Sequence, residues 1–323
     1  MKRCVLLHLL AHSALATVIF TLTGCSSDAT GNDDPSPQTD DAAERSVQDD
    51  ALGPDFLRAP VGGIHRSCVH ELEDGDSVDE QGAIHSADGR VQPVGACGFA
   101  VKRAATSMPD SADAVAPTDN GWTEDANWTS PASLKLFSAQ FHVPAAPHSY
   151  TGQTIFLFPA LEDTAGTAII QPVLQYGPSG AGGGNYWAIA SWFGGAPWGN
   201  HYYHTGLRRV STGEVISGSM YNTGKCHPPV CSWGISMHDS KNTSNLTIYA
   251  DSRLSWRWIF GGTVEVYGIN SCAKYPATYD NFFNFLIEDL SGRRYSAAWR
   301  HDIHVHTCGE RITSNAGLVN LYY

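Results

Sequence analysis

Ile169-Ile170-Gln171-Pro172-Val173-Leu174-Gln175-Tyr176-Gly177 is apolar, rich in β-branched residues and closed by a glycine, the composition of a β-strand. Successive side chains of a strand point to opposite faces, so Gln171, Val173 and Gln175 share one face and Ile170, Leu174 and Tyr176 the other. The second face is ordinary core. The first carries two amides where a core strand would place hydrocarbon. Thr263-Val264-Glu265-Val266-Tyr267 repeats the arrangement, with Glu265 between Thr263 and Tyr267 on its own face. A carboxylate inside an apolar β run is costly to bury unless it is paired or faces water. Both strands are therefore expected to border a cleft, to which Tyr186-Trp187-Ala188-Ile189-Ala190-Ser191-Trp192-Phe193 adds an aromatic strand.

Working outward, short β-branched or aromatic runs recur at residues 134–143, 154–158, 168–176, 186–193, 214–220, 232–237, 246–249, 263–269, 282–287 and 317–322, with Gly, Pro, Asn or Asp between most of them. No stretch keeps a helical apolar period. The expected fold is all-β: two antiparallel sheets packed face to face as a jelly-roll sandwich over residues 122–323. Residues 56–104 read as a small β unit closed by Cys68 and Cys97, a segment that could be removed as a prosegment, and residues 105–121, rich in Ala, Ser, Pro and Asp, as a linker.

The N-terminus sets the compartment. Lys2 and Arg3 precede an apolar stretch to Leu22, and Leu22-Thr23-Gly24-Cys25 then turns abruptly polar, so residues 1–24 read as a secretion signal. The tetrad resembles the bacterial lipobox, which implies lipidation at Cys25, anchorage to a membrane surface and location in the cell envelope, at the outer membrane or cell surface, or outside the cell. Residues 26–55 hold nine carboxylates against one base, Arg45, and residues 25–55 form an acidic, flexible tether. The whole chain carries a formal charge of -12, which gives no means of neutralising a phosphate backbone and excludes nucleic acid as a partner. Setting aside Cys4 and Cys25, six of the eight cysteines remain. An even number in an exported chain reads as disulfides, and order along the chain suggests Cys68 with Cys97, Cys226 with Cys231 and Cys272 with Cys308.

At the Gln and Glu strands the chain resembles the glutamic peptidases, β-sandwich acid endopeptidases that use a Gln and a Glu. The resemblance runs from about Phe137 to Tyr295 in the order of its elements: Leu174-Gln175-Tyr176-Gly177, with a second match at Ile169-Ile170-Gln171; then Tyr186, Ala188 and Trp192; then Gly213-Glu214-Val215-Ile216; then Val264-Glu265-Val266. It departs at Phe156-Leu157-Phe158-Pro159-Ala160-Leu161, which lacks the family's Trp and Asp, and at Ser191, where a carboxylate is usual. The resemblance implies a concanavalin-like sandwich, catalysis by Glu265 as general base with Gln171 or Gln175 as oxyanion donor, substrate contacts from Tyr186, Trp187, Trp192 and Tyr267, a polypeptide substrate and no cofactor.

Other readings compete. A non-catalytic carbohydrate-binding sandwich would use exposed Trp187, Trp192, Trp198, Trp256 and Trp258 as platforms for a glycan. A glycosidase needs two carboxylates about 5–10 Å apart, and between residues 130 and 280 Glu265 has no obvious partner. Asp302, His304 and His306 alternate in a pattern of metal-ligand chemistry, although solvated histidines on a surface strand are the commoner case, and no metal is expected. His201 and His204 read as rim or turn residues, and Gly180–Gly184 as a hairpin loop.

Overall fold

The computed structural model describes residues 52–102, 119–227, 230–251 and 254–323. The expected signal, Cys25, and nearly all of the tether and linker lie outside the described residues. Within them the protein is all-β, with two large sheets and three one-turn 3-10 helices.

One sheet, here the groove sheet, runs in the order Arg300–Ile303, Asp119–Thr129, Trp256–Ile269, Thr154–Asp163, Ala168–Ser179, Gly182–Gly195, His201–Thr205 and Val69–Leu72. The other, the back sheet, is built on Leu134–His142, Val215–His227, Val230–His238, Thr243–Asp251 and Asp280–Asp289. The antiparallel ladders follow the hairpin-by-hairpin spacing of turn residues in the sequence. The sheets bury their facing sides against each other: Phe141, Leu157, Leu174, Ile216, Val264 and Phe282 form one part of this core, and Leu161, Ile170, Phe193 and Ile235 another. Each such side chain contributes about 1.5–3 kcal/mol by leaving water.

The opposite side of the groove sheet is also covered. Phe56–Ala59 and Gly62–His65 form a hairpin that lies over it, so that Ala59, Ile64 and Cys68 pack with Phe156, Phe158, Val173, Trp192, Phe260 and Tyr267. The chain then runs parallel to His201–Thr205 as Val69–Leu72 and parallel to Thr243–Asp251 as Ser77–Val78. Residues 56–102, called the arm below, thus add strands to both sheets. The Cys68–Cys97 disulfide closes the arm, and Cys272–Cys308 closes the far end of the sandwich. Cys231 is disulfide-bonded and faces Cys226 in strand register, the side chain of Cys226 lying outside the described residues.

A bulge at Tyr176/Gly177 bends the strand that carries the two glutamines. Gly177 adopts a φ of +89°, and a Cβ there would overlap the Gln153 carbonyl oxygen. Gly177→Ala is therefore expected to cost roughly 3 kcal/mol or more, read as a fall of about 6–12 °C in melting temperature; an unchanged melt would show that the bulge relaxes without cost.

Candidate active site

The period-two reading of the strands holds in space. Gln171, Val173 and Gln175 face the groove, where Val173 packs with Phe156 and Trp192, whereas Ile170 and Leu174 face the back sheet. Glu265 stands opposite Phe156, and Phe156 stands opposite Gln175. Glu265, Phe156 and Gln175 are therefore one lateral row, with the Glu and Gln two strand spacings, about 10 Å, apart at the backbone. Gln171 lies four residues, about 13 Å, farther along the same strand.

All three polar groups are buried beneath the arm: Gln171, Gln175 and Glu265 are each 1 % exposed. The Tyr267 hydroxyl donates to Glu265 Oε1 at 2.5 Å and lies 3.5 Å from the Ala59 carbonyl oxygen. Burial, together with the neighbouring Glu265 charge, pushes the Tyr267 phenol well above its ordinary range, and the Arg58 guanidinium acts in the opposite sense. The Gln171 amide donates to the Pro60 carbonyl oxygen at 2.8 Å. The arm's hairpin tip thus lies against the strands of Gln171 and Glu265, with its Pro60 carbonyl hydrogen-bonded to the first and its Ala59 carbonyl near the Tyr267 hydroxyl. Arg58 anchors the tip by donating to the Gly152 carbonyl at 2.7 Å and to Thr154 Oγ1 at 3.1 Å.

Gln175 is held differently. Its amide donates to the Gly177 and Gly182 carbonyls at 2.7 and 2.8 Å, and its Oε1 accepts from Ser179 at 2.8 Å, which ties it into the turn between its own strand and the next.

The aromatic candidates divide between the two faces. Trp192 is opposite Gln171 on the adjacent strand and faces the groove. Its indole N–H is buried with no hydrogen-bond partner among the described residues. Trp187 instead points into the core, 5.0 Å from the Tyr176 ring, because its place in the strand alternation is the opposite one. Tyr186 is half-buried under the Arg209 guanidinium. Of the tryptophans expected as exposed sugar platforms, Trp187, Trp192, Trp198 and Trp256 are all buried; Trp198 packs against Phe193 and Trp256 against Trp233. Trp258 alone of that set borders open space.

That space is a cavity of about 610 Å³ beside the arm, lined by Val61, Gly62, Trp122, Trp258, Glu265 and Tyr267 among others. Its lining also holds a polar cluster in which Asp302 and His304, legible in the sequence, meet Asp125 and Asn127, which were not. His304 Nε2 lies 3.0 Å from Asp125 Oδ2, and Asn127 donates to Asp125 at 2.6 Å and to Asp302 at 2.9 Å. The hydrogen bond to Asp125 raises the His304 pKa. Asp125 is one of four carboxylate residues that line the cavity, with Glu162, Glu265 and Asp302, and its pairing with Thr263 across adjacent strands is a long-range fact. Asp302 and His304 are turned toward Asp125 and Asn127, and no group of three or more metal-ligating side chains is present among the described residues.

His201 and His204 lie on a strand rather than in a loop, and both are buried. The neighbours of the His201 ring belong to the arm, since its Nδ1 is 2.9 Å from His70 Nε2 and its Nε2 meets the Gly95 carbonyl oxygen, whereas His204 lies 4.6 Å from the Trp192 ring.

No family model and no curated protein matches the chain. Among solved structures it is similar to scytalido-glutamic peptidase with a transition state analog inhibitor, at 12 % identity and a TM-score of 0.47 over 63 % of this chain and 98 % of the other. The same peptidase with a peptide-based transition state analog gives 12 % and 0.46. SCP-B, a member of the eqolisin family of peptidases, in complex with the tripeptide Ala-Ile-His gives 13 % and 0.45, again over 63 % and 98 %. Likeness at that level carries no residue role to this chain, whose all-β architecture stands on its own strands and sheets.

Proposed function

We propose that this protein is an exported acid endopeptidase, with Glu265 as general base, in a form closed by its own arm. The observation that carries the reading is the occupant of the groove. A polypeptide lies across the face that holds Glu265, and one of its main-chain carbonyls sits on the Gln171 amide. A side-chain amide that receives a main-chain carbonyl on the face of Glu265 favours polypeptide over a sugar ring.

In this reading Glu265 takes a proton from a water that attacks the peptide carbon, and returns it to the leaving amine as the C–N bond breaks. Gln175, in the row of Glu265, is the oxyanion donor once its amide exchanges a turn carbonyl for the substrate oxygen. Gln171 holds a neighbouring carbonyl of the bound chain. A single oriented donor of this kind contributes about 3–4 kcal/mol to the transition state. The two amides therefore separate kinetically. Gln175→Ala is expected to lower kcat by about 10²–10³-fold, whereas Gln171→Ala raises KM with a smaller change in kcat.

The direct test is incubation of the purified protein with an unfolded polypeptide at about pH 3–5, where a carboxyl can serve as both base and acid. New amino termini in the products are expected. Gly62→Ala should accelerate the reaction, because a Cβ at that glycine, at φ +134°, would stand 2.8 Å from the Lys102 carbonyl oxygen and displace the hairpin tip. If neither protein cleaves anything across that range, the peptidase reading is wrong. Lipid anchorage through Cys25 belongs to the same proposal: in a bacterial host, Cys25→Ala should move the protein out of the detergent phase.

A further inference from the structure

We propose that the arm is an acid-released latch, and that its trigger is the contact between His70 of the arm and His201 of the sandwich. The inference rests on the closed-site reading above and adds the means by which the site opens.

The contact has room for one hydrogen between the two rings, and with both rings neutral the donor roles follow. His201 Nε2 meets the Gly95 carbonyl oxygen, so that nitrogen carries hydrogen and donates. Its Nδ1, 2.9 Å from His70 Nε2, is then the acceptor, and His70 donates to it. Protonating one ring keeps a single N–H between them, since the neutral ring can take the tautomer that accepts. Protonating both rings sets two cations edge to edge with one hydrogen too many. Both bonds join arm to sandwich, so the charge is added at the seam itself. The hairpin tip is coupled to this seam through a short, braced connection: four residues separate His65, the end of the hairpin, from His70, and Cys68 among them is bonded to Cys97, two positions from Gly95.

The surroundings do little to neutralise the added charge. On the strand of His201, Tyr203 lies with its ring 5.2 Å from His70 and donates its hydroxyl to the Gly82 carbonyl at 2.7 Å. His204 on that strand is itself a buried imidazole, 4.6 Å from the Trp192 ring of the next strand. On the arm, Asp79 is held by His85 at 2.9 Å. Glu71, the residue after His70, projects from the other face of its strand by alternation. Beyond it Arg208 pairs with Asp74 at 3.6 Å.

Burial and the neighbouring histidines hold the His70 pKa down, from 6.5 to about 4, and burial does the same for His204. The sign follows. The closed arm is at full strength above about 6.5 and weakens as the pH falls toward 4, because the open form binds the proton more tightly. For His70 alone, the closed-to-open ratio falls by about 20-fold between pH 7 and pH 5.

Hydrogen–deuterium exchange on Glu265→Gln protein, in which self-cleavage is removed from the readout, tests the latch directly. After correction for the intrinsic pH dependence of exchange, amides of residues 56–65 and 69–72 should lose protection by about 20-fold or more from pH 7 to pH 5. Amides of Thr154–Asp163 and Trp256–Ile269 should not. His70→Gln, which cannot be charged, should reduce the loss to less than about threefold, and His201→Asn serves if that variant does not fold. The proposal is overturned if the arm stays equally protected at both pH values, if protection falls uniformly through the sandwich, or if His70→Gln releases the arm like the parent. Arm release without peptide cleavage would sink the peptidase reading and leave the latch standing; cleavage with a protected arm would do the reverse.

Discussion

Glu265→Gln is expected to reduce hydrolysis of an unfolded polypeptide by about 10²–10⁴-fold while leaving the fold intact. The substitution keeps the shape of the side chain and an oxygen to accept the Tyr267 hydroxyl, the bond that measures 2.5 Å in the parent. It removes the lone function that an amide cannot perform, taking a proton from water. Glu265 is 1 % exposed in the closed form, and replacing a buried carboxylate by a neutral isostere relieves a desolvation cost, so the melting temperature should stay level or rise. Activity and stability then move in opposite directions, which separates a catalytic role from a structural one. Should Glu265→Gln cleave as fast as the parent, Glu265 is not the base.

Glu124→Gln should flatten a steep loss of stability on the alkaline side. Glu124 is fully buried beside Ala126 on the core side of its strand, and neither of its carboxylate oxygens has a hydrogen-bond partner among the described residues. Burial first, then the nearby Glu310, Asp280 and Asp125 carboxyls, push its pKa from 4.5 to about 9. Asp280, whose Oδ2 accepts from Tyr323 at 2.9 Å, is pushed by burial to about 8. In the folded protein both groups hold a proton at neutral pH, whereas the unfolded chain has released it above about 4–5. The contribution of these two groups is therefore complete in acid and falls as pH rises, until its loss is full above the folded values of about 8 and 9. For Glu124 the full loss is on the order of 5 kcal/mol. Thermal melts at about pH 5 and pH 9 decide the matter: the parent should lose much more than Glu124→Gln between them, and parallel losses would assign the alkaline weakness to other groups.

What the sequence disclosed was parity. Alternation along single strands placed Gln171 and Gln175 together, and Glu265 between Thr263 and Tyr267, because a strand's period is fixed by its backbone. Parity does not say which face is open. Trp192 and Trp258 both read as exposed aromatics, yet Trp192 is buried under Cys68 and Ile64 of a segment more than 100 residues earlier, a contact with no local signal. The row Glu265–Phe156–Gln175 depends on register between three strands, and the bulges at Tyr176/Gly177 and Val264/Glu265 that tune it are not written in either strand alone. Gln175 was indistinguishable from Gln171 in sequence, and only the tight turn to Gly182 separates their hydrogen bonding. Asp125 escaped notice because its neighbour Thr263 is distant along the chain.

The arm's parallel pairings decide how much of it can leave without baring the edges of both sheets. Val69–Leu72 covers the free rim of His201–Thr205, and Ser77–Val78 covers that of Thr243–Asp251. Cutting the whole arm away would leave two rows of unpaired backbone amides and carbonyls on opposite sheets of one molecule, a template for chain-to-chain stacking. A protein released into a crowded surface layer in that state would polymerise. Opening as far as Leu72, with Ser77–Val78 still in place, bares the groove and spares the Thr243–Asp251 rim, so loosening leaves the second sheet covered in a way that excision does not.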